Sequence, residues 1–134
     1  MKPLVLSAGP GTAARLHAWL DEALAAEPVS ERLAYIIRLC LEEAVMNVVM
    51  HGYGPEGGPI EVALWRDNGD YHARVIDSGA AFDPTAAPTP APVRKGIEDG
   101  PLGGRGLLLL RRFANAMDYA RVDGRNELTL RFAG

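Results

Sequence analysis

A two-layer α+β sandwich is the fold this sequence predicts, with a mostly antiparallel sheet of roughly five strands carrying three helices on one face. Asn68-Gly69 and Asp123-Gly124 each sit between two alternating apolar runs, and such dipeptides are strong hairpin signals because a type I′ turn needs positive φ at both central positions. Segments of helical period lie ahead of the first hairpin and between the two, so helices and strands are grouped rather than alternating singly. Neighbouring hairpins pair antiparallel, and the helices then cover the sheet from one side.

Pro3-Leu4-Val5-Leu6 reads as a short first strand. Gly9-Pro10-Gly11-Thr12 breaks it, and Thr12 is expected to cap a helix running to about Ala26, with Leu16, Trp19, Leu20 and Leu24 on one face. Pro28 ends that unit, and Ser30 is the expected N-cap of the next helix. Four residues in a helix advance the azimuth by roughly 400°. Leu33, Ile36, Cys40, Glu43, Asn47 and His51 are therefore expected on one stripe, apolar at its start and polar at its end.

Gly52 to Pro59 reads as a loop. Ile60–Trp65 and Tyr71–Ile76 form the first hairpin, with His72 and Arg74 on a partly polar face and His72 a solvated strand residue. Between Gly79 and Gly106 the pattern disappears, and Pro84, Pro88, Pro90, Pro92 and Pro101 punctuate the segment. A stretch this long is either a lid or binding loop or an insertion without a role. Gly106–Met117 reads as a helix, followed by a hairpin of Asp118–Val122 and Glu127–Phe132. Leu128, Leu130 and Phe132 alternate with Thr129 and Arg131, so Thr129 belongs to the opposite face.

The 134 residues suffice for one domain with a real core, and the 48% hydrophobic and 23% charged content is that of a globular protein. Net charge is −3, and no basic cluster exceeds Arg111-Arg112, which argues against a nucleic-acid partner. No apolar run reaches the roughly 18 residues of a membrane span, and the N-terminus has no signal-peptide core. Cys40 is the only cysteine, so no internal disulfide forms, and its place on the apolar arc reads as packing. These features point to the cytoplasm.

Three constellations carry chemistry. Glu43, Asn47 and His51 recur at four-residue intervals near the end of a helix. Buried polar groups need partners, so either the helix surfaces there or it lines a ligand or metal site. Asp77-Ser78-Gly79 ends a strand in a carboxylate and a small-residue turn, which suits either a plain turn or a binding loop. Gly100 to Gly106, including Gly103, Gly104 and Arg105, runs into a helix. Glycine-rich backbone and a helix N-terminus suit an anion, and equally a lid hinge. The segment fits neither a P-loop nor a dinucleotide fingerprint.

Taken together, Glu43-x3-Asn47-x3-His51-x-Tyr53, Asp77-x-Gly79 and Gly104-x-Gly106-Leu107 resemble the N, G1 and G2 boxes of the GHKL ATPase superfamily. Within it the chain resembles the RsbW/SpoIIAB-like anti-sigma-factor serine/threonine kinases, over essentially its whole length. The resemblance implies the Bergerat, or histidine-kinase-like ATPase, fold in a single domain over 1–134 with an ATP lid around 80–105. It implies ATP and Mg²⁺ as cofactors, Glu43 as general base, Asn47 as Mg²⁺ ligand and Asp77 as partner of the adenine amino group. Gly79 leaves room for the ring, Gly104, Arg105 and Gly106 hold phosphates, and Thr129 matches a late hydroxyl near the adenine. Ala81 stands where the family often has glycine, and the lid is long and proline-rich.

The function so implied is anti-sigma factor and kinase. The ATP γ-phosphate would pass to a STAS-domain anti-anti-sigma factor, with a sigma factor as the alternate partner and a homodimer as the assembly. An ATP-binding module that sequesters a sigma factor with little phosphotransfer is the alternative. The ATPase domain of a histidine kinase or chaperone-like machine fits less well, because those need further domains.

Overall fold

The computed structural model describes residues 3–85 and 109–134. Its five strands are β1 (Leu4–Ser7), β2 (Pro59–Asp67), β3 (Asp70–Asp77), β4 (Ala116–Val122) and β5 (Arg125–Phe132). They form one sheet in the order β1-β2-β3-β5-β4, and every neighbouring pair is antiparallel. Both hairpins turn where the sequence places them, with Asn68 and Gly69 at φ 54° and 84°, and Asp123 and Gly124 at 51° and 77°.

Period-two alternation sorts the strands into a covered and an open face. The register aligns rows across the covered face: Val62, Val75 and Leu128; Leu64, Ala73 and Leu130; then Tyr71 and Phe132. The row at the other end is Leu6, Ile60, Asp77 and Asn126, apolar at one side and polar at the other. On the open face, Trp65 stacks on His72 with ring centroids 5.4 Å apart, and Arg74 lies over Trp65. His72 is thus half-buried against a ring rather than simply solvated.

Helices α1 (Thr12–Ala25) and α2 (Glu31–Asn47) supply the second layer. Ser30 caps α2 as expected, its hydroxyl accepting from Leu33 N at 3.1 Å. Thr12 does not cap α1; Gly11, at φ 85°, holds that position. The Thr12 hydroxyl instead accepts from Gly9 N and lies 2.7 Å from the Ser7 and Gly9 carbonyls, tying the turn to the end of β1.

α2 buries Ile37, Cys40, Leu41, Ala44 and Val45. This arc lies beside the expected stripe, so Leu33, Ile36 and Glu43 are half-buried at its flank. The reason is that α2 packs against both α1 and β3, and its buried arc joins their apolar residues in one core.

Helix α3, whose residues 109–113 are described, ends earlier than expected. Met117 is in β4 rather than in a helix, because the Asn115 N–H bonds the Arg131 carbonyl of β5 at 2.7 Å and draws the chain into the sheet. No helix among the described residues is long and apolar enough to cross a membrane.

Tyr71 is 3% exposed, and its hydroxyl has no hydrogen-bond partner among the described residues. Desolvating a hydroxyl without a bond is unfavourable by about 1–3 kcal/mol. Tyr71→Phe is therefore expected to leave stability unchanged or raise it by up to about 1 kcal/mol. A clear loss in urea-unfolding free energy would show that the hydroxyl is satisfied.

Candidate nucleotide site

The polar end of the covered face meets the end of α2, and the chain changes helical form there. After Asn47 the residues Val48–Gly52 form a single π turn. Such turns are rare and concentrate at functional sites. The wider turn shifts His51 out of the phase an α-helix would give it relative to Asn47, yet both side chains line one cavity.

That cavity, of ≈190 Å³, is walled by Ala44, Val48, Val75, Phe82, Leu110 and Leu128 and carries Asn47, His51, Asp77, Tyr119 and Asn126 as its polar groups. Sites for whole small molecules usually span about 300–1,000 Å³. The size and the apolar walls suit one flat ring with a few directed polar contacts, a base subsite rather than a pocket for an entire nucleotide.

Asp77 closes β3 and is 5% exposed. Its Oδ1 accepts from Gly79 N at 2.8 Å and from Asn126 Nδ2 at 3.0 Å. Below it, the turn packs onto the end of the π turn: Ala80 N donates to the Gly52 carbonyl at 3.1 Å. A Cβ on residue 79 would lie 2.2 Å from the Gly52 oxygen and 2.7 Å from its carbonyl carbon. Only glycine fits there. Tyr53 fastens the same junction, its hydroxyl donating to the Pro59 carbonyl at 2.6 Å and accepting from Ser78 N at 2.7 Å.

The structure thus brings Asn47 and Asp77 to one cavity and sets Gly79 beneath it. Glu43, one turn earlier on α2, is half-buried and is not among the lining residues. Burial, with a smaller push from the Glu42 carboxylate, holds the Glu43 carboxyl above the usual glutamate range. Gly104, Arg105 and Gly106, with most of the expected lid, lie outside the described residues. Thr129 lies on the open face, as the alternation predicts, where its hydroxyl accepts from Arg74 Nε at 3.0 Å, and so not in the place near the adenine that the resemblance implies. The β5 residue in the cavity is Asn126. Its signal was present in the sequence as the one polar member of the alternation 126, 128, 130, 132.

Cys40 packs as the sequence suggests, fully buried, with its thiol pushed up to about 12 by burial and by the nearby Glu43 carboxylate. It is a core residue with no thiolate chemistry at neutral pH.

Because the atoms that would meet a Cβ at residue 79 include backbone, no side-chain rotation relieves the clash. Gly79→Ala is expected to destabilise the fold by about 1–3 kcal/mol and to weaken binding in the cavity. Urea midpoints and nucleotide titration measure the two effects, and wild-type values for both would contradict the close approach.

A family profile described as the histidine kinase-like ATPase domain matches residues 6–132. A Bordetella bronchiseptica protein named serine/threonine-protein kinase BtrW is 38% identical over 129 residues, covering 95% of this chain and 89% of that one. Among solved structures, the RsbU and RsbW domains of a Mycobacterium tuberculosis protein superpose with a TM-score of 0.60 at 22% identity; the match covers 99% of this chain and 32% of that longer chain. The SiaB–SiaC complex of Pseudomonas aeruginosa contributes a match with a TM-score of 0.56 at 20% identity, covering 96% of this chain and 88% of that one. At those identities the structural likenesses speak for the fold alone. The profile match and the 38% identity speak for descent, and the chain belongs to the histidine kinase-like ATPase family, in agreement with its resemblance to the RsbW-like kinases.

Proposed function

We infer that this chain is an ATP-dependent protein serine/threonine kinase that acts in a partner-switching system. One observation carries the nucleotide reading: Asp77 on β3 and Asn47 on α2 line the same base-sized cavity. The near-full-length relative named as a serine/threonine kinase supports the activity. The finer reading is transfer of the γ-phosphate to a STAS-type anti-anti-sigma factor by a cytoplasmic homodimer that also sequesters a sigma factor.

The residues divide the work by position. Asp77 offers a buried carboxylate oxygen to an exocyclic amine, and the apolar walls exclude water from the ring faces. Asn47 offers one hard carboxamide oxygen beside the cavity. Among the described residues no group of three His, Cys, Asp or Glu could hold a metal by itself. A divalent cation at Asn47 would therefore need phosphate and water oxygens to complete its shell, which is the habit of Mg²⁺. When bound, Mg²⁺ would neutralise charge on the phosphates. Arg105 and the glycines at 104 and 106 would bind the phosphates.

Glu43 would accept the proton of the incoming hydroxyl, and a carboxylate with a raised pKa is a better base for that step than an ordinary one.

Transfer of labelled phosphate from ATP to a candidate STAS partner, with Mg²⁺ and with chelator, tests the kinase reading. Glu43→Gln is expected to lower transfer by at least about 100-fold while leaving ATP affinity within a few-fold. Unchanged transfer would remove Glu43 from the chemistry. The base works ionised, so the wild-type rate should fall as pH drops through a value above the usual glutamate range, and the variant should lose that limb. Asp77→Asn, which exchanges an ionised acceptor for a neutral amide, is expected to weaken ATP binding about 10-fold or more in calorimetry; wild-type affinity would move base recognition elsewhere.

A further inference from the structure

We propose that Asn126 is the positioning residue of the base subsite: it occupies one oxygen of Asp77, leaving the other as the single acceptor for a 6-amino purine. This rests on the nucleotide reading above and assigns within it a residue that none of the three boxes contains.

Asn126 is 6% exposed and stands directly across from Asp77 in the register of β3 and β5. Its Nδ2 donates to Asp77 Oδ1 at 3.0 Å and to the Ala80 carbonyl at 2.9 Å, using both amide protons. Its Oδ1 accepts from the Tyr119 hydroxyl, from Arg121 Nη1 at 3.1 Å and, at 3.4 Å, from Phe82 N. The direction of the amide follows from the chemistry of these neighbours. A guanidinium and a backbone N–H can only donate, so the carboxamide oxygen faces them. A carbonyl can only accept, so the NH₂ faces Ala80 and Asp77.

Two consequences reach the cavity. Asp77 Oδ1 already receives Gly79 N and Asn126 Nδ2, whereas Oδ2 accepts from no described residue. The carboxylate therefore keeps one acceptor for a ligand N–H. Arg121 also donates to the Gly79 carbonyl at 2.9 Å, so β4 and β5 together hold the turn of residues 79–82 that carries Phe82 to the cavity. A purine with an amino group at its edge satisfies Oδ2, and a purine with a carbonyl there sets acceptor against acceptor.

The test is calorimetric titration of the full chain with ATP and with purine riboside 5′-triphosphate, which lacks the 6-amino group. N126D is nearly isosteric and keeps an acceptor for Tyr119, Arg121 and Phe82 N, but removes the donors to Asp77 and to the Ala80 carbonyl. ATP affinity is expected to fall about 10-fold near neutral pH while analogue affinity stays within two-fold, so their ratio collapses. The groups facing position 126 are Asp77 on β3 and Tyr119 and Arg121 on β4, with His51 across the cavity. Two adjacent carboxyls share a proton as pH falls, which restores a donor between them. The ATP loss in N126D relative to wild type at the same pH should therefore shrink toward about pH 5.5, His51 being common to both proteins. N126A, which loses donor and acceptor together, should show the same ATP-selective loss without recovery at low pH. Equal losses for ATP and analogue in both variants would mean a merely structural role and overturn the proposal. Wild-type protein that binds neither triphosphate would overturn the nucleotide reading and this inference with it.

Discussion

At residue 79 the chain passes so close to the Gly52 carbonyl that a Cβ would lie 2.2 Å from its oxygen, and Ala80 N bonds that same oxygen at 3.1 Å. This backbone contact joins the end of the helical layer to the end of the sheet. It fixes the distance between Asn47, on the last turn of α2, and Asp77, at the last residue of β3. The hydroxyl of Tyr53 spans the junction from the other side, reaching Pro59 and Ser78. Main-chain packing of this kind sets positions more tightly than side chains alone could, which is what a site for directed hydrogen bonds requires.

The same sheet face changes character along its length, and that change makes the site. Rows of Val, Leu, Ala and Phe bury against α1 and α2 over most of the face and supply most of the driving force for folding. The end row replaces two apolar positions with Asp77 and Asn126, both almost wholly buried. Buried polar groups raise the free energy of the fold unless bonded, and here each bonds the other as well as the turn that follows β3. The covered face thus serves as core at one end and as a recognition surface at the other, without a separate binding domain.

The helix that completes the site is divided in the same way. The arc from Ile37 to Val45 faces the core, and Glu43 lies at its edge with its carboxyl shifted upward by burial. The π turn then carries Val48, His51 and Gly52 into the cavity wall. An uninterrupted α-helix would present these residues at other angles, because each additional residue per turn rotates everything after it.

Much of this was legible in the sequence. Both hairpin turns, the Ser30 cap and the antiparallel sheet with helices on one face follow from local rules: positive φ at Asn-Gly and Asp-Gly, side-chain capping and strict alternation. That Asn47 and Asp77 serve one site was implied only by the family resemblance. Three other features needed the tertiary structure. The end of α3 before Met117 depends on a bond from Asn115 to β5, which a short apolar run does not announce. The buried arc of α2 depends on where α1 and β3 press against it. The alternation already separates Asn126 from Thr129 by face, but only the register with β3 sets Asn126 against Asp77. The sequence by itself determined which residues are chemically able to form the site. Only the tertiary structure decided which of them meet, because proximity across strands and layers is fixed by packing and not by order along the chain.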